Sequence, residues 1–167
     1  MTNVNELFAV LDNLTKLHQA LYTLALEKRE VLVKNDMQQL TELVKKEQQL
    51  FKAIQQTELL RAEMTNMIFN EKGVAVTNGT LQDVIRLCTD VETKNRLAQY
   101  REELLSVIGQ LKEENEQNQQ LLQHSLDFVN MSLDLFTDRP EEDFIYKNPV
   151  NQQIQSSMNR SIFNHKA

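Results

Sequence analysis

Proline is absent from the first 139 residues of this 167-residue chain, and only three glycines occur in the whole of it. Proline breaks a helical hydrogen-bond ladder and glycine costs about 1 kcal/mol in a helix interior, so their scarcity permits long helices. Strand-rich folds need a turn every ten residues or so, built from Gly, Pro, Asn and Asp. An all-β sandwich or barrel is therefore excluded, as are the glycine-built phosphate loops of dinucleotide enzymes. Apolar residues make up 41% of the chain but aromatics only 6%, with no Trp. The expected core is aliphatic and the expected fold all-α and elongated.

Eighteen Lys and Arg against 24 Asp and Glu give a net charge of −6. Phosphate binding needs a basic face, so nucleic acid is not expected as a partner. The single cysteine, Cys88, rules out an internal disulfide framework and fits a reducing compartment. The opening MTNVNELFAVL has no basic region that would mark a signal peptide, and no apolar run approaches a membrane span. A soluble cytoplasmic protein without membrane insertion is expected.

Four helices are predicted, over about 3–34, 37–70, 81–92 and 94–136, forming an antiparallel hairpin or bundle with coiled-coil character over residues 1–137. Asn3 and Glu6 have the spacing of a capping box. Val4, Leu7, Leu11, Leu14, His18, Leu21, Ala25 and Leu32 then recur three and four apart, with Lys28 the one charged interruption. Phe8, Leu17 and Leu24 widen that seam, which suits a helix with more than one neighbour. Asp36 with Gln39 reads as a fresh N-cap, favouring an antiparallel hairpin over a continuous kinked helix. The second helix offers Met37, Leu40, Leu43, Val44, Leu50, Phe51, Ile54, Met64 and Ile68 as its core.

Residues 71–79, EKGVAVTNG, hold two glycines and form a loop. Thr80 and Asp83 read as a capping box before a short helix with Leu81, Val84, Ile85, Cys88 and Val91 on its apolar face. The last helix carries a seam of Leu97, Leu104, Ile108, Leu111, Asn115, Asn118, Leu122, Ser125, Val129, Ser132 and Phe136. After Thr137 both prolines appear among many Asn, Gln and Ser, and residues 138–167 are expected to be a flexible partner-binding tail. Phe144, Ile145 and Tyr146 cluster there. Val150, Ile154, Met158 and Ile162 step by four, a spacing that could form an amphipathic helix on a partner.

No enzyme is indicated. His18, His124 and His165 lie far apart with no metal-ligand spacing, and neither a metal nor a cofactor is expected. Cys88 reads as a small packing residue. Adjacent acids such as Glu102-Glu103 diverge on a helix and read as solvated faces. The informative stretch is EENEQNQQLLQHSLDFVNMSLDLF, residues 113–136. After Asn115 and Asn118, apolar residues occupy several faces: Leu121, Leu122, Leu126, Phe128, Val129, Met131, Leu133, Leu135 and Phe136. Successive helical residues are about 100° apart, so these cannot all face one neighbour. Such a helix is either sandwiched between others or built for a partner's hydrophobic helices. The two asparagines either fix bundle register, as polar seam residues do, or belong to that partner surface.

Several of these residues together resemble FlgN-type flagellar export chaperones. The pattern is Glu27-Lys28 near the end of the first helix, Leu40 and Leu43 after the break, Lys46-Glu47, and Asn115-x-x-Asn118 followed by leucines. Ile145-Tyr146 and the ending SIFNHKA are similar to flagellar chaperone tails, although Lys147-Asn148-Pro149 stands where a glycine is usual. The resemblance implies a cytosolic helical chaperone for the hook-filament junction proteins. It would prevent their premature assembly and present them to the membrane export gate's cytosolic domain. The implied partner-binding residues are Leu121, Leu122, Leu126, Phe128, Val129, Met131, Leu133 and Phe136, with Phe144, Tyr146, Ile154, Met158, Ile162 and Phe163 in the tail. The competing reading is a structural coiled-coil adaptor that self-associates through the same apolar helix.

Overall fold

A computed structural model of the protein describes residues 2–75 and 79–136. The expected tail, 138–167, with its candidates Phe144, Tyr146, Ile154, Met158, Ile162 and Phe163, lies outside the described residues. Four helices and no strand occur among the residues described: α1 (Thr2–Lys34), α2 (Met37–Glu71), α3 (Leu81–Leu87) and α4 (Val91–Phe136). The chain divides into two units, residues 1–126 and 127–167. Within the second, residues 127–136 are the last turns of α4.

The hairpin between α1 and α2 is made by local chemistry. Asn35 takes φ 55°, a left-handed conformation that Asn tolerates better than most residues. Its N–H bonds the Leu32 carbonyl at 3.1 Å and the next N–H, on Asp36, bonds that of Val31 at 3.2 Å. This pair of bonds closes the helix end in a Schellman arrangement. Asp36 then caps α2, its Oδ1 accepting from the Gln39 N–H at 3.0 Å. The chain reverses there. Asn13 Nδ2 donates to Thr57 Oγ1, and Lys28 Nζ reaches Glu47 Oε1 at 2.6 Å, so the arms are antiparallel. The charge that interrupted the α1 seam is thus paired, with both side chains largely out of water.

At the far end of α2, Gly73 at φ 67° repeats the Schellman closure, with Val74 N–H on the Phe69 carbonyl. The Asn3–Glu6 capping box does not form. Asn3 lies inside α1 and its side chain donates instead to Glu71 at the end of α2. The Thr80–Asp83 box does form: Asp83 N–H donates to Thr80 Oγ1, and Thr80 N–H returns to Asp83 Oδ2. α3 stops at Leu87, well short of residue 92, because Cys88 is extended and Asp90 starts a new helix by accepting from the Thr93 N–H at 2.8 Å. Val91 is therefore an exposed first residue of α4 rather than part of the apolar face of α3.

The main core lies where α3 packs. Leu7, Phe8 and Leu11 of α1, Ile68 and Phe69 of α2, Val84 and Ile85 of α3 and Leu97 of α4 form one buried cluster. Arg96 lies over the Phe8 ring, 4.1 Å from its centre, and Tyr100 is tilted against the same ring. Farther along, Leu21 and Ala25 meet Leu111, with Leu50 and Ile54 beside them. The first helix thus has neighbours on two sides, as its widened seam predicted. Buried Thr15, Thr57 and Thr65, which sequence reading left out of the core, each donate to the carbonyl four residues earlier. Their hydroxyls carry no unmet desolvation cost.

On α2 and α4 the predicted faces are partly wrong. Leu43 and Ile68 are buried and Phe69 joins them, but Met37, Val44 and Phe51 are exposed. On α4 the buried stripe is Leu97, Val107, Leu111, Glu114 and Asn118, whereas Ile108 is exposed. The two stripes share Leu97, Leu111 and Asn118 and differ by one residue at two positions, where Val107 and Glu114 are buried in place of Ile108 and Asn115. A charged Glu114 is acceptable in a seam only because Arg29 arrives from α1, 85 residues away in sequence.

Candidate partner-binding surface

The α4 surface begins at a polar anchor. Arg29 Nη1 donates to Glu114 Oε2 at 3.1 Å and to Gln117 Oε1 at 3.3 Å. One turn on, Asn118 Nδ2 donates to the Ala25 backbone carbonyl at 2.8 Å, and Asn118 is 3% exposed. This bond sets the axial position of α4 against α1, the register role expected of a polar seam residue. Asn115 does not share it and sits half-buried beside the seam. Glu114 Oε1, Asn115 Oδ1 and Asn118 Oδ1 are shut off from water with no donor among the described residues.

Beyond the anchor, α4 changes character. Leu121 is half-buried, and Leu122 and Leu126 are exposed. On the stretch that follows, taken by itself, Phe128 is 65% exposed, and Val129, Met131 and Leu133 are about half exposed. Phe136 is the last residue of the helix. Leu122, Leu126, Val129 and Leu133 follow one another four and three apart, so they share one helical stripe. Phe128 and Met131 lie beside it. Large apolar side chains left in water at this density mark a surface made to be covered.

A second set of exposed apolar residues was read from sequence as core: Met37, Val44 and Phe51, which repeat every seven residues on α2, and Ile108 on α4. No sequence signal separates them from true core positions, because periodicity gives a helix an apolar stripe but not its neighbour.

Other chemistry is thin. His18 Nδ1 lies 2.9 Å from the Leu14 carbonyl, so that ring is engaged by its own helix. Burial pushes the Cys88 thiol up from its ordinary value, which keeps it protonated and poorly nucleophilic. Among the described residues, no group of three His, Cys, Asp or Glu side chains could hold a metal ion, and no helix is long and apolar enough to cross a membrane.

Packed helices carrying an exposed apolar stripe define a helical-bundle binding protein. Comparison with known sequences gives the family: the FlgN protein family is matched over residues 1–153, and the chain belongs to it. The family is one of cytosolic chaperones with no known enzymatic activity, and membership implies a flagellar export chaperone. An uncharacterized protein of Bacillus subtilis (strain 168), YvyG, is 32% identical over 157 residues, spanning 94% of each chain. No solved structure matches.

Proposed function

We propose that this protein holds late flagellar subunits, the hook-filament junction proteins, in the cytoplasm, keeps them from assembling early and delivers them to the export gate. The observation that carries this reading is the exposed stripe Leu122, Leu126, Val129 and Leu133 of α4, with Phe128 and Met131 beside it, in a member of a chaperone family. A partner helix laid along such a stripe is held by apolar burial, at roughly 25 cal/mol per Å² removed from water. Helix-in-groove packing of this kind needs no catalytic group. The C-terminal candidates Phe144, Tyr146, Ile154, Met158, Ile162 and Phe163 extend the contact with the subunit or meet the gate.

The test is co-purification of the junction proteins with three forms of the chain: intact, ended after Thr137, and carrying Leu122→Ser, Val129→Ser and Phe136→Ser together. Both changed forms are expected to lose the subunit. Retention by both would place the site elsewhere. The heptad-like spacing of the stripe also supports the adaptor reading, in which a second copy covers it. Light scattering on the free protein separates the two, since a stable dimer that the serine variants dissociate would favour the adaptor.

A further inference from the structure

The last turns of α4 carry apolar side chains on two different sides. Leu122, Leu126, Val129 and Leu133 make one stripe. At about 100° per residue, Phe128 and Met131 lie roughly 130–170° round the helix from the middle of that stripe. They are three apart, so they share a side, and both are more than half exposed. The borders differ as well. Ser125, Ser132, Gln123 and Asn130 flank the stripe, and all are uncharged. Asp127 and Asp134 stand four before and three after Met131, so the second side has an acidic edge. Both acids have partners, yet residues 113–136 contain no Lys or Arg, so no cation of this stretch balances them.

Charge is sorted the opposite way farther along the chain. Asp138, Glu141, Glu142 and Asp143 crowd the first positions after α4, whereas residues 147–167 hold Lys147, Arg160 and Lys166 and no acid. Asn148 and Pro149 are the residue types favoured at an N-cap and at the first helical position. Val150, Ile154, Met158 and Ile162 then step by four, which gives one apolar side about 18 Å long in a helix. So short and polar a helix needs a neighbour to be stable. Residues 137–148 can span up to about 40 Å when extended, far more than the roughly 8–10 Å between packed helix axes. The division of the chain after Leu126 also places Phe128 and Met131 in the unit that holds residues 137–167.

We propose that residues 149–163 of this chain fold back as an amphipathic helix on the Phe128 and Met131 side of α4, with their basic surroundings toward Asp127 and Asp134. The stripe of Leu122, Leu126, Val129 and Leu133 stays open for the client subunit. The inference rests on the export-chaperone reading for the client's place and adds the neighbour on the other side of the helix. Charge selects this occupant. The α4 of a second copy would bring the same acids to the same edge, and like charges disfavour that pairing. A free client helix has to compete there with a segment tethered at an effective concentration of about millimolar. Covering one apolar side from within leaves a single face, so the client meets a stripe of defined width.

The test is amide hydrogen exchange on the full chain and on three variants: Phe128→Ser with Met131→Ser, Arg160→Glu with Lys166→Glu, and Val129→Ser alone. Amides of residues 150–163 are expected to exchange at least tenfold more slowly in the full chain than in the first two variants. Val129→Ser, on the other side of the helix, should keep that protection. Amides around Leu97 report that the bundle stays folded throughout. Protection that is absent from the full chain, equal in all forms, or lost in Val129→Ser as well overturns the proposal. Protection that falls on tenfold dilution assigns the segment to a second copy and overturns it too. Titration with a purified hook-filament junction protein keeps the two readings apart. If residues 150–163 are protected and the full chain does not bind the subunit, the export reading falls and the docking stands. If the subunit binds a chain whose residues 150–163 are unprotected, the docking falls and the export reading stands. Binding that Val129→Ser weakens at least tenfold, with the segment still protected, supports both.

Discussion

Leu97 and Ile108 are aliphatic residues of the same helix, three turns apart, yet Leu97 is 0% exposed and Ile108 42%. At Leu97 the chain supplies α3 as a cover, and side chains from all four helices meet. Ile108 lies outside the cluster that α3 completes, and it stays exposed. The difference teaches that exposure at Ile108 reflects its place outside that cover rather than its residue type.

Substitutions can break or sharpen that contrast. Leu97→Ala should cost about 3–5 kcal/mol, because a fully buried leucine leaves a cavity among rigid neighbours. Ile108→Ser should change stability by less than about 0.5 kcal/mol, the usual range for exposed sites. Urea unfolding of both checks the pair, and similar losses would mean that Ile108 is covered in the free protein.

The glycines give a smaller version of the same contrast. A Cβ on Gly79 would sit 1.9 Å from the buried Phe69 ring, whereas one on Gly109 meets nothing within 4 Å. Gly79→Ala should therefore destabilise by about 1–3 kcal/mol through overpacking. Gly109→Ala, in mid-helix, should stabilise by about 0.5–1 kcal/mol. Thermal melts with opposite signs are the expected outcome, and two shifts of the same sign would contradict the packing described.

The smallest effect is a response to acid at the N-terminal caps of α3 and α4. Hydrogen bonds from Thr80 hold the Asp83 carboxyl below its ordinary range, and those from Thr93 do the same for Asp90. Each folded pKa is depressed, so each contribution to stability is present above the unfolded carboxylate value of about 3.9. It is lost as pH falls through the lower folded value. The Thr80 and Thr93 amide resonances should titrate with midpoints below that value. Midpoints at or above it would show that the caps do not hold the carboxylates.

Much of the fold was legible because its signals are local. Asp36, Gly73 and Thr80 mark helix ends by bonds spanning a few residues, and α1 announced two neighbours by the width of its stripe. The missed features are non-local. Asn3 spends its side chain on Glu71 instead of on its own helix end. Glu114 was passed over for Asn115 because the guanidinium of Arg29 that neutralises it comes from another helix. The α4 candidate surface was proposed from its excess of apolar faces, while Met37, Val44, Phe51 and Ile108 were mistaken for core.

Sequence by itself therefore determined the helices, the hairpin, the family and the apolar end of α4, all of which follow from spacing and composition. Tertiary structure alone decided which apolar stripes are buried. A stripe at three-and-four spacing lowers its free energy against any suitable neighbour. Whether a neighbour is present depends on how the other helices pack, and no residue of the stripe itself encodes that.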